Sequence, residues 1–270
     1  MAKHSEDEEH RALTRQILRW GLSAVVGVAA LVYLASFYKQ QQAVDRIEEH
    51  FRSEPIEQLV AEYRVAPDGK LIVTDTISLA AKGERIKRGI GRPFPKKRTT
   101  KGGVELVLDY QPLQFLINDE TFPVPVAEAR GPGVVFWTGL PEDAEPLTAG
   151  RYRFTFQYEV SGAIHTVNGN EGFEGIVFGP AITHTEQTKA LVFPPTLIPS
   201  SSLEVHATIL QHYEPDLPGD KESVVVKLFE PTDTTGNQPE RHIQIIAQRP
   251  LIAGEYLFFE IFWPSTSIEP

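Results

Sequence analysis

No cysteine occurs in the chain, so neither a disulfide framework nor a Cys-ligated zinc site is available to it. That absence does not identify a compartment, because exported proteins also dispense with cysteine. The short catalytic signatures are missing as well. There is no HExxH pair, no Ser in a GxSxG elbow, no Walker loop and no GxGxxG turn. Long hydrophobic runs are scarce, with one exception near the N-terminus. What the chain has in quantity is turn chemistry. Twenty Gly and 21 Pro among 270 residues suit β structure better than a helix bundle.

The exception is "WGLSAVVGVAALVYLASFY", Trp20 to Tyr38, nineteen residues without a charge. As a helix it would reach about 28 Å, close to the hydrocarbon thickness of a bilayer. Arg19 and Lys39 bracket it, and Trp20, Tyr33, Phe37 and Tyr38 sit at its edges as interfacial aromatics do. A buried core helix and a cleaved signal peptide are the alternatives. The acidic "SEDEEH" before the run and the poor small-residue site after it favour an uncleaved anchor. Lys3, Arg11, Arg15 and Arg19 precede the span, while Lys39, Arg46 and Arg52 follow it closely. The bias places the N-terminus in the cytoplasm and residues from about 40 onward in the periplasm or exterior. Ser23 and Gly27 form one small-xxx-small pair, through which two such helices could approach in a homo-oligomer.

The expected organisation is a tail over 1–19, a transmembrane helix over 20–38, a helical stalk over 39–60, a first β module over 61–198 and a second over 199–270. Val44, Ile47 and Phe51 recur at helical spacing in the stalk. From Tyr63 the period becomes 2. In "RYRFTFQYEV", Tyr152, Phe154, Phe156, Tyr158 and Val160 share one face. In "DGKLIVTDTISL", Leu71, Val73, Ile77 and Leu79 share a face that Asp75 interrupts. The Pro- and Ser-rich "FPPTLIPSSS" reads as a boundary or a crossing between sheets. After it "LEVHATIL", "SVVVKLF", "HIQIIAQ" and "EYLFFEIFW" are strand-like. The fold class is therefore all-β, a β-sandwich of two packed antiparallel modules.

Charge is distributed unevenly. The chain carries −10, yet Lys82 to Lys101 holds nine Lys or Arg against one Glu, a local charge of +8 that leaves −18 elsewhere. Its centre, "KRGIGRPFPKKR", is broken by Gly and Pro and reads as an irregular loop. Asp75 is expected at an exposed edge. Alternatively it pairs with Arg88 or Arg92, which would then hold the loop's shape. Lys96, Lys97, Arg98 and Lys101 are the candidates to meet an anionic surface or partner.

Other candidates carry less. His165, His184, His206, His212 and His242 are scattered without metal-ligand spacing. "NGNEGFEG" gathers Asn168, Asn170, Glu171 and Glu174. It reads as a polar turn, with calcium binding or a glycosidase-like carboxylate pair as alternatives. No catalytic residue, metal or cofactor is expected, and nucleic acid is not an expected partner.

Several stretches together resemble the uncharacterised domain family numbered 2207 among domains of unknown function, whose members are membrane proteins. "RGIGRPFP" is similar to that family's Arg-Gly-Ile, one residue, Arg, one residue, Ile-Pro signature at Arg88, Gly89, Ile90, Arg92 and Pro95, with Phe94 in place of Ile. "YRVAPDGKLIVTDTISL", "LTAGRYRFTFQYEVSGAI", "NEGFEGIVFGPAI" and "LIAGEYLFFEIFWP" resemble successive strands of it, over roughly residues 60 to 268. Of the family's acidic segment only Glu171 and Glu174 remain. The resemblance implies an extracytoplasmic β-rich domain tied to a membrane, and no activity. The expected function is a non-enzymatic, membrane-anchored interaction or assembly module of the cell envelope. It would touch the bilayer through Trp20–Tyr38 and meet a membrane or envelope protein. The alternatives are a binding module for an anionic envelope polymer or polysaccharide and, less favoured, an envelope hydrolase.

Overall fold

The computed structural model describes residues 54–83, 86–100, 103–130, 133–140, 145–178, 184–195, 198–211, 220–230, 240–252 and 255–265. The expected span Trp20–Tyr38, the Ser23–Gly27 pair, stalk residues 39–53, Lys101 and His212 lie outside them. Among the described residues no helix is long and apolar enough to cross a membrane. The described chain is all-β, with one 3-10 turn at Ser200–Ser202.

Its largest sheet has eight strands. At its centre β10 (Gly150–Ser161) lies between β2 (Leu71–Ala81) and β6 (Asp109–Ile117). The expected alternation holds there: Phe154, Phe156, Tyr158 and Val160 are buried, and the residues between them are partly exposed. β7 (Glu120–Phe122) follows β6 at one edge. On the other side, β1 (Ile56–Val65) pairs antiparallel with β2 and parallel with β13 (Thr185–Phe193). β16 (His242–Ala247) and β15 (Val224–Phe229) complete the order.

Three smaller sheets accompany it. β3 (Gly89–Pro95), β9 (Gly133–Gly139) and β8 (Ala127–Arg130) form one, and β4 (Lys97–Thr99) with β5 (Glu105–Val107) another. The third has the order β11 (His165–Val167), β12 (Asn170–Phe178), β17 (Glu255–Pro264) and β14 (Glu204–Gln211). Two of these cover one face of the large sheet. Tyr63 of β1 packs on Phe173 at 5.9 Å and Phe259 at 5.0 Å from the four-stranded sheet. Tyr158 and Phe156 of β10 pack on Phe94 of β3 at 5.0 and 6.4 Å.

Three expectations are corrected. The stalk does not continue as helix to residue 60, because Ile56–Val65 is a strand. A register shift between Ile56 and Gln58 sets Leu59 three residues from Ile56 on the same buried face, and a β-bulge thereby imitates helical spacing. The boundary at 198–199 does not separate two modules. β13 pairs with β16 and β12 with β17, and Phe51–Pro270 forms one compact unit. The basic stretch is not an irregular loop, since β3 and β4 run through it. β3 is an edge strand, where its Pro93 and Pro95 are tolerated because edge positions need not donate to a ladder.

Candidate functional site

β2 is an interior strand, so Asp75 is not at an edge. Its carboxylate is 2% exposed, in a row with Ala61 of β1 and Phe156 of β10. An isolated buried carboxylate would be costly, and Arg92 compensates it. Arg92, also 2% exposed, donates from Nη2 to Asp75 Oδ2 at 2.9 Å, and the Tyr158 hydroxyl hydrogen-bonds the same carboxylate. Burial raises the Asp75 pKa, with Arg92 and Tyr158 opposing the rise. Burial also pushes the Tyr63 and Tyr158 phenols well up, and the Asp75 charge adds to this. Arg88 is half-buried, and its carbonyl accepts the Leu140 N–H at 2.6 Å beside β9.

The expected partner-binding set divides. Lys96 and Lys97 are exposed, and Lys97 pairs with Glu105 across the β4–β5 hairpin at 3.2 Å. Arg98 turns inward beside Leu106. Its Nη2 donates to the Glu174 carbonyl at 3.0 Å and lies 3.3 Å from the Glu174 carboxylate. Arg98 thus joins β4 to β12 instead of facing a partner.

Between these pairs lies a cavity of about 50 Å³, lined by Tyr63, Tyr110, Tyr158, Arg98 and Glu174 among apolar neighbours. Tyr63 donates to the Ile176 carbonyl at 2.9 Å, Tyr110 to the Pro95 carbonyl at 3.0 Å, and Tyr158 bonds Asp75. With their protons so engaged, the hydroxyls offer lone pairs. The volume suits ordered water, which needs roughly 10–15 Å³ per molecule.

The "NGNEGFEG" stretch is a hairpin rather than a carboxylate site. Asn168 and Gly169, with φ of 52° and 80°, make the two-residue turn between β11 and β12. Glu171 and Glu174, three apart on a strand, point to opposite faces and cannot act as a pair. The described histidines gather in no metal-binding group. His165 is buried with Nδ1 3.1 Å from the Ala163 carbonyl, and His242 stacks on Phe229 at 4.9 Å. Among the described residues no three acidic or His side chains gather in a metal-binding cluster.

A second and larger cavity, of about 230 Å³, was not anticipated. It is lined by His206, Ala207, Thr208, Lys221, Phe258 and Glu260. In the β14–β17 register His206 lies opposite Glu260 and Thr208 opposite Phe258, and opposite residues share a face. Glu260 in turn lies opposite Glu174 of β12. Thr208 is 3% and Glu260 8% exposed. The backbone beside Lys221 is fixed. Asp220 and Ile209 exchange N–H···O bonds of 3.0 and 3.2 Å, and Arg249 joins Asp220 at 3.2 Å to Glu255 at 2.7 Å. The Ser223 hydroxyl first, then Arg249, holds the Asp220 carboxyl below its ordinary range. The available signal was one acid inside the apolar "EYLFFEIFW".

No family model matches the chain, and no curated protein does. Among solved structures it is similar to yeast LTA4 hydrolase, with 9% identity, 77% of this chain, 29% of that one and a TM-score of 0.40. It is similar to the M1 zinc metallopeptidase from Deinococcus radiodurans, with 12% identity, 76% and 42% coverage and a TM-score of 0.36. It is also similar to aminopeptidase A of Legionella pneumophila, with 6% identity, 77% and 21% coverage and a TM-score of 0.37. The chain spans less than half the length of each. The structures named are those of enzymes, and the expected non-enzymatic interaction or assembly module is not retained. At such scores they pass no active-site residue and no substrate to this chain.

Proposed function

We propose that the chain is a membrane-tethered domain, held outside the cytoplasm, that binds a small polar molecule in the cavity between β14 and β17. One observation carries the binding reading. A cavity of about 230 Å³ has both polar buried walls, Thr208 and Glu260, and an aromatic one, Phe258. Apolar enclosure with a few convergent polar groups is the general form of a ligand site. The tether rests on the charge-free run Trp20–Tyr38, its basic flanks and the resemblance to the 2207 family.

The binding test uses purified full-length chain and thermal melts against a panel of small polar metabolites. At least one compound should raise the melting temperature, and His206→Trp, at an exposed position that lines the cavity, should abolish the rise. A panel without any stabiliser, or an unchanged rise in His206→Trp, defeats the reading. For the tether, protease added to spheroplasts should degrade residues 40–270 and spare the N-terminal tail. A protected body defeats it.

A further inference from the structure

The three-stranded sheet turns one face inward and leaves the other bare. Ile90, Arg92 and Phe94 of β3 and Val134 and Phe136 of β9 are buried. Strand alternation therefore sends Gly91 and Pro93 of β3 and Val135 and Trp137 of β9 outward. In the β3–β9 register Gly91 lies opposite Trp137 and Pro93 opposite Val135. On the other side of β9, Ala127 lies opposite Phe136, which brings Val126 level with Trp137. Trp137 is 47% and Val126 82% exposed. The indole is nevertheless held in place. A Cβ at position 91 would meet its Cε3 at 3.2 Å and its Cζ3 at 3.3 Å, so the ring lies across the glycine. Exposed apolar residues that share one face mark a surface that meets a protein or a membrane. Resting on the tether reading above, we infer that this face docks on the surface of a bilayer with anionic headgroups.

Charge favours that occupant. Lys87 and Lys96 flank β3, and both are exposed. The chain carries −10 but +8 between Lys82 and Lys101, so an anionic surface attracts this stretch and repels the rest. Attraction to headgroups requires no contact, only a separation within the screening length of about 10 Å at 0.1 M salt. Two acids lie on this side. Glu105 is paired with Lys97 at 3.2 Å, and Glu128, opposite Val135, is engaged within the protein. Residue type separates a bilayer from a protein partner. Interfaces between proteins favour Arg and are depleted in Lys. In this stretch Arg92 and Arg98 turn inward, and Lys82, Lys87, Lys96 and Lys97 face out. An exposed Trp suits the headgroup level, with an apolar body and a polar N–H. Proximity agrees. Fifteen residues, 39–53, separate the expected span from Glu54, and fifteen residues reach at most about 54 Å. On the tether reading the domain therefore never leaves the neighbourhood of a bilayer.

The test uses the full-length chain, whose lack of cysteine makes a single introduced thiol unique. Val126→Cys lies on the proposed face, and Lys227→Cys is exposed on β15 at an edge of the eight-stranded sheet. Each carries an environment-sensitive fluorophore. Each protein is reconstituted into vesicles of phosphatidylcholine with phosphatidylglycerol, or of phosphatidylcholine alone, containing a nitroxide-labelled lipid. In the mixed vesicles the label at 126 should lose most of its emission to the nitroxide, and the label at 227 should keep it. Emission at 126 should recover between about 0.1 and 1 M salt, where the screening length falls from about 10 Å to about 3 Å. It should also recover in phosphatidylcholine alone and in Lys87→Glu with Lys96→Glu. Trp137→Ser, at an exposed position, should weaken the quenching and leave the melting temperature unchanged. No quenching at 126, or equal quenching of both labels, overturns the docking surface. Undiminished quenching in the lysine variant overturns the anionic surface. Protection of the 126 label in lipid-free detergent that grows with protein concentration assigns the face to a second copy and overturns the inference as well. Release of the chain by alkaline carbonate defeats the tether reading and is scored apart from the labels.

Discussion

Breaking the Asp75–Arg92 pair should be far worse than replacing it. Both side chains are 2% exposed and the contact is 2.9 Å. Arg92→Met leaves the Asp75 carboxylate buried without its cation, which costs roughly 3–5 kcal/mol in comparable buried pairs. For a unit of this size that lowers the melting temperature by roughly 6–20 °C. The double replacement Asp75→Leu with Arg92→Met removes both charges together. It also removes Nε and Nη1 of Arg92, which have no hydrogen-bond partner among the described residues. Such exchanges are neutral or stabilising by about 1–4 kcal/mol, so the double variant should be more stable than Arg92→Met by several kcal/mol. Urea unfolding of the wild type, the single variants Arg92→Met and Asp75→Leu, and the double closes the cycle, provided the slopes agree. pH supplies an independent reading. Burial holds the Asp75 pKa above its ordinary value, so the folded chain retains that proton to higher pH than the unfolded chain does. This contribution is full below the unfolded pKa and is lost as pH rises through the raised one. Asp75→Asn should erase that part of the slope. A double variant as unstable as the sum of the singles, or a single Arg92→Met that costs nothing, would refute the argument.

Two further outcomes follow from strand alternation. Phe156→Ala should cost roughly 3–5 kcal/mol, because its ring is enclosed by Phe94, Phe136 and Tyr158, whereas Thr155→Ala on the other face should cost less than about 1 kcal/mol in the same melts. Arg98→Glu would set an acid against Glu174 and should destabilise by several kcal/mol, while Lys96→Glu with Lys97→Glu should stay within about 1 kcal/mol; the reverse ranking in urea midpoints would show that Arg98 is a surface residue.

The strands that were legible are those with one buried and one open face. β10 announces itself in "RYRFTFQYEV" because its outward residues are polar. β17 is different: residues Glu255 to Ile261 are all buried, so no period marks which face Glu260 occupies. The cavity could not be read for that reason. The stalk boundary failed because a spacing read from Val44, Ile47 and Phe51 was carried past Pro55 into β1. The module boundary failed because pairing is non-local. β1 and β13 lie side by side although more than a hundred residues separate them, and nothing in either strand names its neighbour. The basic stretch marks Arg88 and Arg92 as candidates in the sequence, but the partner of Arg92 lies on β2 and is found only by folding.

Among the described residues, four acids are buried on strands, namely Asp75, Glu174, Glu255 and Glu260. The first two are met by arginines of the basic stretch, Arg92 and Arg98. Position decides which cations turn inward. Arg92 shares its face with Ile90 and Phe94, and Arg98 shares its own with Leu106, so both are carried into the interior by the pleat. Residue type agrees with position. A guanidinium is weakly hydrated and holds a carboxylate in fixed geometry, whereas an ammonium loses more on leaving water. Lys96 and Lys97 accordingly remain outside. Glu255 is met by Arg249, and Glu260 lines the larger cavity.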